Sequence, residues 1–114
     1  MTNYRRGVRA ELRAIKDLEA LGYLCTRSGG SLGLFDVVAL GPDGAIFIQV
    51  KSGIRFSALI ASVRKAQSGI VLALLRRFPT IPDAGLKYEV WAWHQRNGWS
   101  KWRLTNGKWS VVPF

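Results

Sequence analysis

The chain has one cysteine, one histidine and one methionine in 114 residues, and its 7 acidic residues face 17 lysines and arginines. A lone Cys25 cannot form an internal disulfide. That excludes a disulfide-stapled secreted scaffold and makes a reducing, cytoplasmic setting the default, with Cys25 packed as a small hydrophobe. His94 has no second histidine or nearby cysteine at zinc-ligand spacing, so a structural role is the plainer reading. No apolar run approaches the roughly 18 residues of a membrane span, so no membrane partner is expected. The basic stretch MTNYRRGVRAELRAIK is not followed by the apolar segment of a secretory signal. Repeats, low-complexity tracts and linkers are also missing.

What is present is a globular composition with a strong charge bias. Hydrophobic residues make up 48%, which excludes a disordered chain. The length fits one domain, residues 1–114, able to bury roughly two-thirds of its unfolded surface. A net charge of +10 and a pI near 10.7 point to a polyanionic partner, and nucleic acid is the commonest.

Periodicity and turn residues predict the elements. A helix runs from about Tyr4 to Leu21 and stops at Gly22. At about 100° per residue, Val8, Leu12, Ile15 and Leu18 form its apolar face, with Glu11 inside it. Arg5, Arg9, Arg13 and Lys16 gather elsewhere on the helix, with Arg6 nearby. A short strand, Tyr23 to Thr26, leads into the loop RSGGSLG. Strands Leu34 to Leu40 and Ala45 to Lys51 form a hairpin around Gly41-Pro42-Asp43-Gly44. A second helix, Ser57 to Ser68, is followed at Gly69 by a strand, Ile70 to Leu75. After an irregular loop, YEVWAWH, WSKWRL and KWSVVPF read as short strands joined at Asn97-Gly98 and Asn106-Gly107. The expected fold is α/β, with a central mixed β-sheet flanked by helices. Its core covers about residues 4–75, and a β-rich C-terminal extension covers about 86–114.

Four polar residues on apolar faces carry the chemistry: Glu11, Asp36, Gln49 and Lys51. Burying an unpaired charge is costly, and a divalent cation held between them removes that cost. Pairing Leu40 with Ala45 sets Asp36 opposite Gln49, with Lys51 on the same face, unless a bulge intervenes. Magnesium prefers oxygen ligands, which Asp36, Glu11, the Gln49 amide and the Val50 carbonyl can supply. Lys51 would orient a water and offset developing charge, a set suited to phosphodiester hydrolysis. Burial should raise the pKa of Glu11 when no metal is bound.

Arg6-Gly7, Glu11, Gly30-Ser31, Phe35-Asp36-Val37-Val38-Ala39 and Gln49-Val50-Lys51-Ser52 together resemble archaeal-type Holliday junction resolvases. More broadly they resemble the PD-(D/E)xK nuclease superfamily, with its restriction-endonuclease-like core. The resemblance covers about residues 4 to 75. It implies a magnesium- or manganese-dependent homodimeric endonuclease that nicks opposing strands of a four-way DNA junction. Metal binding falls to Glu11 and Asp36, the catalytic lysine role to Lys51, and a catalytic or substrate-contact role to Ser31. Gln49 departs from the signature, which has an acid there, and so weakens the expected metal affinity. A general nuclease of another substrate class, or a non-catalytic nucleic-acid-binding module of the same fold, are the alternatives.

For DNA binding, Arg5, Arg6, Arg9 and Arg13 are expected on phosphates, with Arg27, Arg55, Arg64 and Lys65 extending the track. All five tryptophans lie between residues 91 and 109. Trp91 and Trp93 share a strand face, with packing or an interface the plainer reading and base stacking the sharper one.

Overall fold

The computed structural model describes residues 2–28 and 33–113. The elements run α1 (Asn3–Ala20), β1 (Leu24–Arg27), β2 (Val37–Gly41), β3 (Gly44–Gly53), α2 (Phe56–Arg77), β4 (Leu86–His94), β5 (Gly98–Thr105) and β6 (Lys108–Val111). The six strands form one mixed sheet in sequence order. Every neighbouring pair is antiparallel except β3 and β4, which run parallel over nine positions and are joined by α2. The coarse expectation of an α/β domain with a mixed sheet holds.

Local chemistry sets the element ends. Thr2 caps α1, its hydroxyl accepting the Arg5 N–H at 3.2 Å. Gly22 closes the same helix at φ +94°, its N–H donating to Glu19 O. Asn106 and Gly107 both take positive φ between β5 and β6, as a tight hairpin turn demands.

Two predicted elements are corrected. Residues 70–75 are not a strand but the second half of α2. The run Ile-Val-Leu-Ala-Leu-Leu suits a buried strand or a buried helix equally, and Gly69 sits in the helix with open space around it. Leu59, Val63, Ile70 and Leu74 are the buried stripe, at helical spacing. By length and composition α2 could cross a membrane, yet this stripe packs against the sheet. The β-rich tail is not an extension either. β4 lies beside β3 within the sheet, so residues 86–111 form half of it. A parallel pairing between strands separated by 32 residues leaves no local signal, because the two are linked only through α2.

The helices cover opposite faces. On one, Ala10, Ala14 and Leu18 of α1 pack on Val37, Ile46, Ile48, Val50 and Trp91. On the other, α2 packs on Tyr88, Val90 and Ala92. The buried stripe of α1 is therefore rotated from the expected one, and Leu12 is 52% exposed. Two alanines let the helix lie close to the sheet, which outweighs the greater hydrophobicity of Leu12.

Glycine tests this architecture at two places. Gly44 adopts φ +131°, and a Cβ there would collide with Gly85 O. Gly44→Ala should therefore cost on the order of 3 kcal/mol in denaturant unfolding. Gly69→Ala should stabilise by about 0.5–1 kcal/mol, because an exposed helical glycine is replaced by the best helix former. A destabilising Gly69→Ala would contradict a continuous α2.

Candidate metal centre and nucleic-acid interface

β2 leaves β3 just before Val37, and the candidate site lies in the notch this opens. The ladder pairs Leu40 with Ala45 and Val37 with Ile48, which is the expected register. One residue earlier it breaks: in an unbroken ladder the Asp36 N–H would face away from β3, yet it donates to Ile48 O at 2.9 Å. Asp36 thus stands at a bulge-like step rather than squarely opposite Gln49. Its carboxylate turns inward, and Oδ2 accepts the Val50 N–H at 2.8 Å. A residue's N–H and C=O leave a strand on the same side, so the Val50 carbonyl also faces the notch.

Glu11 arrives from α1, and Arg27 Nη1 donates to its Oε1 at 3.1 Å. Gln49 and Lys51 are half-buried at positions in register with Val90 and Ala92, which lie under α2. Among the described residues, the Gln49 amide makes no hydrogen bond to Asp36 or Glu11. Ser31 lies outside the described residues.

The electrostatics link these groups. Burial pushes the Asp36 carboxyl above its ordinary value, against the Val50 hydrogen bond and the positive charges of Lys51 and Arg27. Burial likewise raises Glu11; its hydrogen bond to Arg27 opposes that, and the nearby Asp36 charge adds to it. The raised pKa expected of Glu11 is therefore present. The two acids share a desolvated corner that Lys51 and Arg27 only partly neutralise.

The oxygen set matches a hard cation. Among the described residues no group of three His, Cys, Asp or Glu side chains is placed to hold a metal. Magnesium is commonly held by one or two carboxylates plus waters and substrate phosphates, which needs no third acid. Glu11 and Asp36 would hold it here, with the Val50 carbonyl as a neutral donor; the Gln49 side chain lies on the α2 face of β3, away from Glu11.

The expected DNA-contact residues separate into groups. Arg6, Arg9 and Arg13 line one groove with Ile54, Trp93 and Gln95. Arg6 and Ile54 also line an adjoining groove that includes Arg55. Arg5 is exposed but lines neither groove, and Arg64 and Lys65 lie further along exposed turns of α2. Arg27 is bound to Glu11, inside the carboxylate site.

Sequence reasoning passed over Glu89. It is 2% exposed and accepts the Trp91 indole N–H and the Arg103 guanidinium, both at 2.7 Å. Lys101 lies over the Trp91 ring, 3.8 Å from its centroid. A charged residue inside YEVWAWH was the available signal. His94 is structural: its Nδ1 accepts the Arg96 and Asn97 N–H groups, which leaves Nε2 to donate to Ile54 O.

A carboxyl whose folded pKa lies above its unfolded value costs stability once ionised. Native stability then falls as pH rises from the ordinary value, 3.8 for Asp, through the raised one. Metal-free Asp36→Asn should therefore melt above wild type at pH 7, with the gap closing as pH drops below the ordinary value. The asparagine oxygen can still take the Val50 N–H. Asp36→Ala cannot, and should lose about 1–3 kcal/mol for the unsatisfied buried donor. Thermal melts across pH in EDTA check both.

No known protein-family model matches the chain, and a search of curated proteins finds no significant relative.

Proposed function

We propose that this protein is a magnesium-dependent, structure-selective DNA endonuclease of the PD-(D/E)xK type, acting as a homodimer on four-way junctions. The observation that carries the reading is the Asp36 carboxylate in the notch at the end of β2, within electrostatic reach of both Glu11 and Lys51. Two carboxylates whose pKa burial raises, one of them within reach of a lysine, would gain from a divalent cation that offsets their desolvation.

Magnesium, when bound, supplies charge neutralisation on the scissile phosphate and a more acidic water. The chain's own groups do the rest. Asp36 is held in one rotamer by the Val50 N–H, so its remaining oxygen is aimed rather than free to rotate. Lys51, close enough to Asp36 to lower its pKa, positions the attacking water and offsets charge on the phosphate. Arg27 neutralises Glu11 while the site is empty of substrate and can turn to a phosphate once that charge is otherwise satisfied. Arg6, Arg9 and Arg55 hold the flanking backbone, which carries no sequence information and so suits recognition by shape. Paired nicks need two copies, and the exposed Leu72, Leu75 and Phe78 at the end of α2 offer an apolar surface for a second one.

One departure favours a second reading. Gln49 stands where the signature has an acid, which is compatible with a binding module that keeps the fold without the cleavage. An end-labelled four-way junction and a linear duplex of the same sequence, each with magnesium and with EDTA, separate the readings. Symmetric nicks in the junction alone, lost in EDTA, are the expected result. Cuts in both substrates indicate a general nuclease, and tight binding without cuts indicates the module. Asp36→Asn and Lys51→Ala should each reduce cleavage at least about a hundredfold, the scale of losing one group that stabilises transition-state charge. Undiminished cutting by Asp36→Asn removes this site from the reaction.

A further inference from the structure

The groove between α1 and the end of β4 holds more than positive charge. Arg6, Arg9 and Arg13 enter it from one face of α1, and Trp93 and Gln95 enter from the end of β4. The Arg13 guanidinium lies over the Trp93 ring, 4.1 Å from its centroid. None of the residues lining the groove is acidic. Its floor is tied down, because Gln95 N–H donates to Gly53 O at 3.3 Å and the His94 imidazole holds Ile54 O at 3.0 Å. A groove fixed before binding loses little freedom on binding.

The other tryptophans are differently employed. Trp91 is 3% exposed with its indole N–H on Glu89. Trp99 donates its indole N–H to Asp17 and meets Trp91 and Trp93 edge-on. Trp102 and Trp109 pack on the opposite face, under α2. Among the described residues, Trp93 is thus the tryptophan that combines a groove position with a stacked arginine.

We infer that this groove binds an unpaired nucleotide, whose base extends the stack already formed by Trp93 and Arg13 while Arg6 and Arg9 take the adjoining phosphates. Intact duplex offers the groove phosphates only and leaves the indole and the Gln95 amide without a role. An unpaired nucleotide offers a phosphate, an aromatic face and a hydrogen-bonding edge together, and stacking on an aromatic ring or a guanidinium plane tolerates any base. The inference deepens the nuclease reading by giving the protein a means to prefer branched or opened DNA. It rests on the nucleic-acid part of that reading and not on cleavage.

The test uses the full chain in EDTA, with fluorescence anisotropy of a labelled oligothymidylate of about ten nucleotides beside a blunt duplex. Trp93→Leu should bind the oligonucleotide about fivefold or more weakly, with duplex affinity within twofold of wild type. Trp93→Phe should bind close to wild type. Arg13→Lys keeps the charge but not the plane, so it should weaken oligonucleotide binding without changing the salt dependence. A folded Trp93→Leu that binds both substrates as wild type does, or loses both equally, overturns the inference. If Trp93→Leu does not fold, unchanged oligonucleotide binding by Arg13→Lys overturns it. A protein that stacks the oligonucleotide but never cuts a junction keeps this inference and loses the nuclease; one that cuts junctions while its Trp93→Leu variant binds the oligonucleotide as wild type does the reverse.

Discussion

The separation of β2 from β3 at Asp36 is the constraint around which the candidate site is organised. Where a strand departs, the neighbour's backbone groups lose their partners. The Val50 N–H would be left buried and unpaired, and the Asp36 carboxylate takes it. The same residue therefore closes the ladder and brings negative charge into a desolvated corner. Glu11 and Arg27 then follow from geometry, since α1 covers one face of the sheet next to this corner and Arg27 of β1 shares that face with Val37. The site and the end of the sheet are one device, which is why the amide variant, not alanine, is the informative probe of its charge.

That device stands on a scaffold with unequal cover. α1 shields the β1–β3 half on one face, and α2 shields β3 and β4 on the other. What remains of the first face, over β4 and β5, is held by polar and aromatic contacts instead of a helix. The Glu89–Arg103 pair and Lys101 over Trp91 close it. Buried carboxylates of this kind are costly unless fully partnered, and Glu89 is partnered through both oxygens. The arginine groove lies where the helix-covered and polar regions meet, so its cations come from α1 and its aromatic ring from β4.

Much of this was legible before any coordinates. The hairpin register followed from one tight turn, and the Asn-Gly pairs marked both C-terminal turns. Glu11 and Asp36 stood out because charge on an apolar face demands a reason. The parallel pairing of β4 was not legible, because it depends on a helix that had been split at Gly69. The rotation of α1 was missed because alanine contributes little hydropathy but permits close approach. Glu89 obeys the same rule that picked out Asp36, and it was overlooked among aromatics that seemed to explain that strand. The step at Asp36 lies below the resolution of pattern reading, since alternation alone cannot say where a ladder ends.

The parallel β3–β4 pair also bears on how the chain reaches this state. The N-terminal helix and first three strands can assemble through local contacts, as antiparallel neighbours do. β3 then presents nine residues of unpaired backbone until α2 has formed and carried β4 back alongside it. Closing such a long loop delays the reward of pairing, so that edge stays open longer than the other edges the finished sheet encloses. During synthesis it emerges well before its partner. An open, apolar strand edge is a template for the wrong chain, so a central strand that ends up fully enclosed is the point at which this protein is most exposed to mispairing as it folds.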